Sequence, residues 1–217
     1  WAMGALTIAL AVAMAASAGA MHFSAHQITV AESARNFLIL FVVFLIAAAF
    51  EEVLFRGFAF QTLIRDVGPV AAVIITSAAF AALHLGNEGA SVLPIINTAL
   101  AGVWLGVAYI RTRSLWLATA LHHSWNLVMV FVFGLPVSGI AGYKHMALLD
   151  GEGYSPVWIS GGEYGPEGGV AATLAVALCA VAIARSRLFK ASDEMRAAII
   201  PGSAETPTGL FPKDSSR

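Results

Sequence analysis

The chain alternates long apolar runs with short polar breaks. Runs over about 1–20, 36–63, 70–86, 93–110, 115–133 and 168–185 approach the roughly 20 apolar residues a helix needs to cross hydrocarbon at about 1.5 Å per residue. None of the six alternates with a period of two, and an open sheet edge cannot face lipid, so each run predicts a helix. The expected fold class is all-α, a polytopic transmembrane helical bundle. The second run extends from Phe37-Leu38-Ile39-Leu40 through a polar interruption to Leu63-Ile64, and a helix of that length is expected to tilt or to protrude into the cytoplasm. Gly68-Pro69 predicts a turn before the third helix, and Pro94 suits the first turn of the fourth. Gly102 and Gly106 have the small-xxx-small spacing that lets a neighbouring helix approach closely.

Two stretches differ in kind. Residues 134–168 carry Asp150, Glu152, Glu163 and Glu167 among many glycines, with Tyr143, Tyr154, Trp158 and Tyr164 interspersed. This predicts a long loop outside the hydrocarbon, with aromatic rings at the interface. Residues 191–217, with Pro201, Pro207 and Pro212, predict a polar tail that is mobile beyond about Ile200. The expected organisation is therefore a helical domain over 1–190 followed by that tail. The first run starts at Trp1 with no basic leader, so it is expected to be a retained transmembrane helix, with sequence upstream of it missing.

Six crossings with the tail in the cytoplasm put Arg65, Arg111, Arg113, Arg185, Arg187 and Lys190 inside, leaving Arg35 and Lys144 outside. That is the positive-inside distribution, and it places the acidic loop at the periplasm or exterior; the expected location is a prokaryotic inner membrane. Composition agrees: 59% hydrophobic and 12% charged residues with a mean hydropathy of +0.79 make water alone a poor solvent. A net charge of −1 offers no basic face, so no nucleic-acid partner is expected. The single cysteine, Cys179, lies in an apolar run; it permits no internal disulfide or cysteine-rich metal knuckle and reads as a packing residue.

Against this background the buried polar groups need a reason. Glu51 and Glu52 follow more than a dozen apolar residues and precede Val53-Leu54-Phe55-Arg56. A carboxylate or guanidinium in hydrocarbon costs several kcal/mol even on lenient scales, so these groups should face the protein interior or a watery recess. Glu52 and Arg56, four apart, can pair on one helix face, while Glu51 projects about 100° away and is left for chemistry. Arg56 is long enough to reach either carboxylate, and a noncatalytic interfacial charge cluster is the alternative. His84 ends an apolar run and shares a face with Phe80, whose ring can wall the imidazole.

His122 and Asn126 are four apart and can present two donors to one point, which suits stabilising negative charge on a carbonyl oxygen; otherwise they form a packing network between helices. His123 faces elsewhere and receives no catalytic role. Helical rise sets Glu51, His84 and His122 roughly 12 to 21 Å from one membrane boundary. Three apolar helices that each supply polar groups at comparable depth point to a shared recess.

Glu51-Glu52-Val53-Leu54-Phe55-Arg56, then Phe80-Ala81-Ala82-Leu83-His84, then His122-His123-Ser124-Trp125-Asn126 resemble, in order, the motifs of the CPBP intramembrane protease family, also called the CAAX-protease and bacteriocin-processing, or Abi, family. The resemblance implies an intramembrane endopeptidase acting on a protein or peptide substrate among membrane lipids. By it, Glu51 is the general base, His84 its partner in binding water, and His122 with Asn126 the oxyanion-stabilising side. Glu52, Arg56 and Phe80 support the site. No cofactor is required in that reading. Zinc held by Glu51, His84 and His122 is the alternative, although no His-Glu-x-x-His helix occurs. A noncatalytic scaffold or immunity protein and a transporter are readings of a different class.

Overall fold

The computed structural model describes residues 1–190; the expected tail over 191–217, and its cytoplasmic placement, lie outside the described residues. Six apolar helices dominate: α1 (Ala2–Ser17), α2 (Val30–Arg56) continued by α3 (Phe58–Val67), α4 (Pro69–Leu83), α5 (Val92–Thr112) and α6 (Leu115–Leu127), with α8 (Val170–Arg185) after the short α7 (Val157–Ser160). Among the described residues three stretches are long and apolar enough to cross a membrane: Val30–Val67, Val92–Thr112 and Leu115–Val132. The other three apolar helices, α1, α4 and α8, are shorter, at 16, 15 and 16 residues. The six expected spans are thus three full-length helices and three short ones in one polytopic membrane bundle.

The long second run is not one rod. Thr29 caps α2, its hydroxyl accepting from the Glu32 N–H while the Glu32 carboxylate accepts from the Thr29 N–H, which satisfies two otherwise free backbone donors. The helix ends at Gly57, whose backbone (ψ −142°) leaves the helical region and starts α3. A Cβ at Gly57 would sit 2.1 Å from the Val53 carbonyl oxygen, so the bend requires glycine. Pro69 then opens α4 as a first-turn residue, where its missing N–H costs nothing.

Neighbouring helices close a ring: α4 packs on α5, α5 on α8, α8 on α1, α1 on α6 and α6 on α2, with α5 also touching α6. The α4–α5 seam is tight because Gly102 faces Ser77 and Gly106 faces Val73; an added Cβ at Gly102 would lie 2.8 Å from the Ser77 Cβ. Trp104 and Trp125 pack with ring centroids 5.8 Å apart in the core, among Ile8, Leu40, Leu121 and Ile183. Large apolar residues such as Leu38, Ile46, Val70, Ile74 and Leu178 point outward and are exposed, as lipid-facing positions should be.

Arg65, Arg111, Arg113 and Arg185 lie at the C-terminal ends of α3, α5 and α8, so they gather at one end of the bundle, where Arg111 Nη2 donates to the Ser186 carbonyl at 2.7 Å. Arg35 and Lys144 occupy the other end. There the stretch read as a loop, 134–168, is a folded cap. Its strand β2 (Leu149–Gly153) pairs antiparallel with β1 (Met21–Ala25), Met21 opposite Gly153 and Ala25 opposite Leu149. It also contains α7 and three single 3₁₀ turns. Within the cap Lys144 Nζ lies 2.8 Å from Asp150 Oδ1, and the neighbouring ammonium holds the Asp150 carboxyl below its usual range.

Candidate active site

The polar residues of α2, α4 and α6 meet in one cavity of about 360 Å³. Glu51 and Glu52 lie in the last turns of α2, His84 caps the C-terminus of α4, and His122 and Asn126 occupy one face of α6. The α2–α3 and α4 arms form a hairpin about Gly68. Glu51 is about as far before its tip as His84 is after it, which brings the two to similar depth. Glu51, His84, His122, Asn126 and Phe80 all line the cavity.

Glu52 and Arg56 are fully buried, and Arg56 Nη1 donates to Glu52 Oε1 at 3.1 Å. Of the two carboxylates within its reach, then, Arg56 takes Glu52. Its other terminal nitrogen donates to the Gly102 carbonyl at 2.9 Å, and its guanidinium lies 5.2 Å from the Phe80 ring centroid. Phe80 is thus a hub, with Phe55 at 5.2 Å, His84 at 4.7 Å and His122 at 6.1 Å between ring centroids. A buried pair of this kind needs the extra hydrogen bonds to offset lost hydration.

The same Glu52 Oε1 accepts from His122 Nδ1 at 3.0 Å, a contact that helical spacing alone did not predict. The opposite ring nitrogen, Nε2, then faces Glu51, 3.8 Å from Oε2. That separation is too long for a direct hydrogen bond, and Glu51 Oε2 has no hydrogen-bond partner among the described residues. Glu51 keeps a third of its side-chain surface accessible and His122 an eighth. The imidazole beside Glu51 is therefore that of His122. His84 lines the same cavity, with Nδ1 2.8 Å from the Phe80 carbonyl oxygen, and its Nε2 makes no hydrogen bond among the described residues.

His123 has a different task. Its Nδ1 accepts from the Trp1 indole at 2.8 Å and its Nε2 lies 3.1 Å from the Phe41 carbonyl oxygen, so it staples α6 to α1 and α2. Asn126 is nearly buried in the cavity wall one turn after His122. Among the described residues the alternative zinc ligands Glu51, His84 and His122 are not gathered into one group placed to hold a metal ion. One wall was not foreseen from the motifs. Val137, Ser138, Ile140 and Glu167 of the cap line the cavity too, and only the acidic composition of that stretch hinted at them. Phe50, Leu54, Leu83 and Ile140 are lining residues that are also exposed, so the cavity opens on the lipid-facing side between α2, the end of α4 and the cap.

Residues 33–128 match the family model described as type II CAAX prenyl endopeptidase Rce1-like. The matched segment is less than half of the chain, yet it contains Glu51, Glu52, Arg56, Phe80, His84, His122 and Asn126. No curated protein and no solved structure matches the chain.

Proposed function

We propose that this protein is an intramembrane endopeptidase of the CPBP, Rce1-like kind, in which Glu51 activates water for attack on a peptide carbonyl. The observation that carries the reading is the juxtaposition of Glu51 Oε2, without a partner among the described residues, and His122 Nε2 across 3.8 Å, in a cavity shared with His84 and Asn126. Two polar atoms at this separation do not bond directly, and a water seated beside the gap can contact both. Glu51 takes one proton of that water while the hydroxyl adds to the carbonyl carbon, and His84 holds the water through Nε2.

Charge then develops on the carbonyl oxygen, and His122 Nε2 and the Asn126 amide supply donors to it. With Nδ1–H given to Glu52, Nε2 donates only from a doubly protonated ring. In that form the charges of Glu51 and Glu52 against Arg56 and His122 sum to zero. Collapse of the tetrahedral intermediate breaks the C–N bond as the carboxylic acid of Glu51 returns its proton to the leaving nitrogen, giving a free acid and a free amine. Glu52 and Arg56 act by holding His122.

The exposed apolar mouth suits a substrate segment that arrives within the bilayer. The basic end of the bundle suits a cytoplasmic face, with the cap on the opposite side of the membrane; a prokaryotic inner membrane is the proposed location. Reconstitution in liposomes with candidate membrane peptides tests the activity, with products mapped by mass spectrometry. Cleavage by the native protein and none by Glu51→Ala supports it. Solute flux without cleavage favours a transporter, and tight peptide binding without either favours a scaffold.

A further inference from the structure

The cap, which lies outside the matched segment, sends one carboxylate into the cavity. Glu167 lines it and is gripped from three directions. Its Oε1 accepts from the Trp125 indole N–H at 2.9 Å. Its Oε2 accepts from the Ser138 hydroxyl at 2.8 Å and from the Ser138 backbone N–H. The root of the residue is fixed as firmly. Asn97 of α5 donates to the Glu167 carbonyl at 2.8 Å and to the Gly169 carbonyl at 2.9 Å, and Thr173 of α8 donates to Asn97 Oδ1 at 2.6 Å.

Both residues held by Glu167 adjoin the catalytic groups. Trp125 immediately precedes Asn126 and stands three residues after His122. Ser138 has a φ of +46°, a left-handed conformation that residues with a Cβ seldom adopt. Its carbonyl accepts from Asn87 Nδ2 at 2.8 Å, three residues after His84. One chain of contacts, Asn87–Ser138–Glu167–Trp125, therefore runs along the cavity wall from the end of α4 to the face of α6.

We infer that Glu167 is a positioning residue of the active site: it clamps Trp125 to Ser138 and so fixes where α6 holds His122 and Asn126 relative to Glu51. The inference rests on the endopeptidase reading for its effect on rate, though not for the clamp itself. A carboxylate is required because the two oxygens accept three donors, and an ionised carboxylate offers only acceptors. Glutamine has a single acceptor oxygen, and its amide N–H would meet either the indole N–H or the donors of Ser138. A displacement of about 1 Å in a catalytic group costs on the order of a hundredfold in rate, so a loosened α6 registers in turnover before it registers in binding.

The test uses the full chain in lipid nanodiscs and a peptide cut by the native protein and not by Glu51→Gln. Glu167→Gln is expected to lower kcat by about ten- to a hundredfold while KM stays within about twofold and the melting temperature stays near native. Trp125→Phe should lower kcat similarly, and the double variant should be no slower than either single one. In parallel, the Trp125 indole N–H resonance, assigned by its absence in Trp125→Phe, should be protected from solvent exchange in the native protein and exchange fast in Glu167→Gln. An indole signal unaltered by Glu167→Gln overturns the clamp, whether or not any peptide is cut. An altered signal with native kcat, or a raised KM with kcat unchanged, overturns the positioning role and leaves Glu167 as a fold contact.

Discussion

Glu52 sets the orientation of His122, its Oε1 lying 3.0 Å from the ring Nδ1. Because the same oxygen also takes Arg56 at 3.1 Å, the buried ion pair serves as the mount for the His122 imidazole. Removing either charge strands the other in a site with no exposed surface, which typically costs about 3–5 kcal/mol. Glu52→Ala and Arg56→Ala should each lose about that much resistance to denaturing detergent, and the double variant should lose much less than the sum. Independent effects in that double-mutant cycle would reject the mount.

The second prediction concerns the α4–α5 seam. Gly102 touches Ser77, where a new Cβ would approach to 2.8 Å, and its carbonyl receives Arg56. Gly102→Ala should destabilise the bundle by about 1–3 kcal/mol through overpacking and lower turnover by shifting Arg56. Gly86, with nothing within 4 Å of an added Cβ, is the control, and Gly86→Ala should stay within about 0.5 kcal/mol of native. Equal losses for both in thermal unfolding would contradict this account of the seam.

How much of this was legible in the sequence depends on the range of each contact. The Glu52–Arg56 pair and the Phe80–His84 wall follow from four-residue spacing within one helix, and the close approach at Gly102 from its spacing to Gly106. The apolar runs gave the bundle, but hydropathy does not register a bend, so the break at Gly57 was read through as continuous helix. The β1–β2 pairing joins segments far apart in the chain, and its short strands carry no strong alternation. His122 to Glu52 and Glu167 to Trp125 are likewise contacts between elements, which no local pattern encodes.

Topology supplies the third prediction. In a Cys179→Ala background, single cysteines at Asp66, beside the basic end, and at Gly142, in the cap, are both at exposed positions. A membrane-impermeant thiol reagent added to intact cells should label the cap cysteine and spare the other, as the positive-inside bias requires. Labelling of both, or of Asp66→Cys alone, contradicts the orientation.

The cap has an alkaline limit. Burial, then the nearby Glu167 charge, pushes the Tyr164 hydroxyl up to about 12 from its ordinary 10. A folded-state value above the unfolded one means the contribution to stability is complete below pH 10 and is lost as pH rises from there through about 12. Tyr164→Phe removes that titration. It also removes the hydrogen bond to Thr98 Oγ1, worth about 1 kcal/mol. The free energy of unfolding measured from pH 9 to 12 should therefore fall more steeply for native protein than for the variant, and parallel slopes would count against the assignment.

The central claim is that Glu51 moves the proton. Glu51→Gln preserves the size and hydrogen-bonding reach of the side chain while removing the base, whereas an alanine there also opens a hole. Single-turnover cleavage and peptide binding should be measured separately in a lipid bilayer, on a peptide the native protein is known to cut. The account predicts that Glu51→Gln inserts and binds the peptide with native affinity while its cleavage rate falls by at least about a thousandfold, toward the upper part of the range general-base catalysis supplies. A properly inserted Glu51→Gln protein that cleaves at a near-native rate would contradict it.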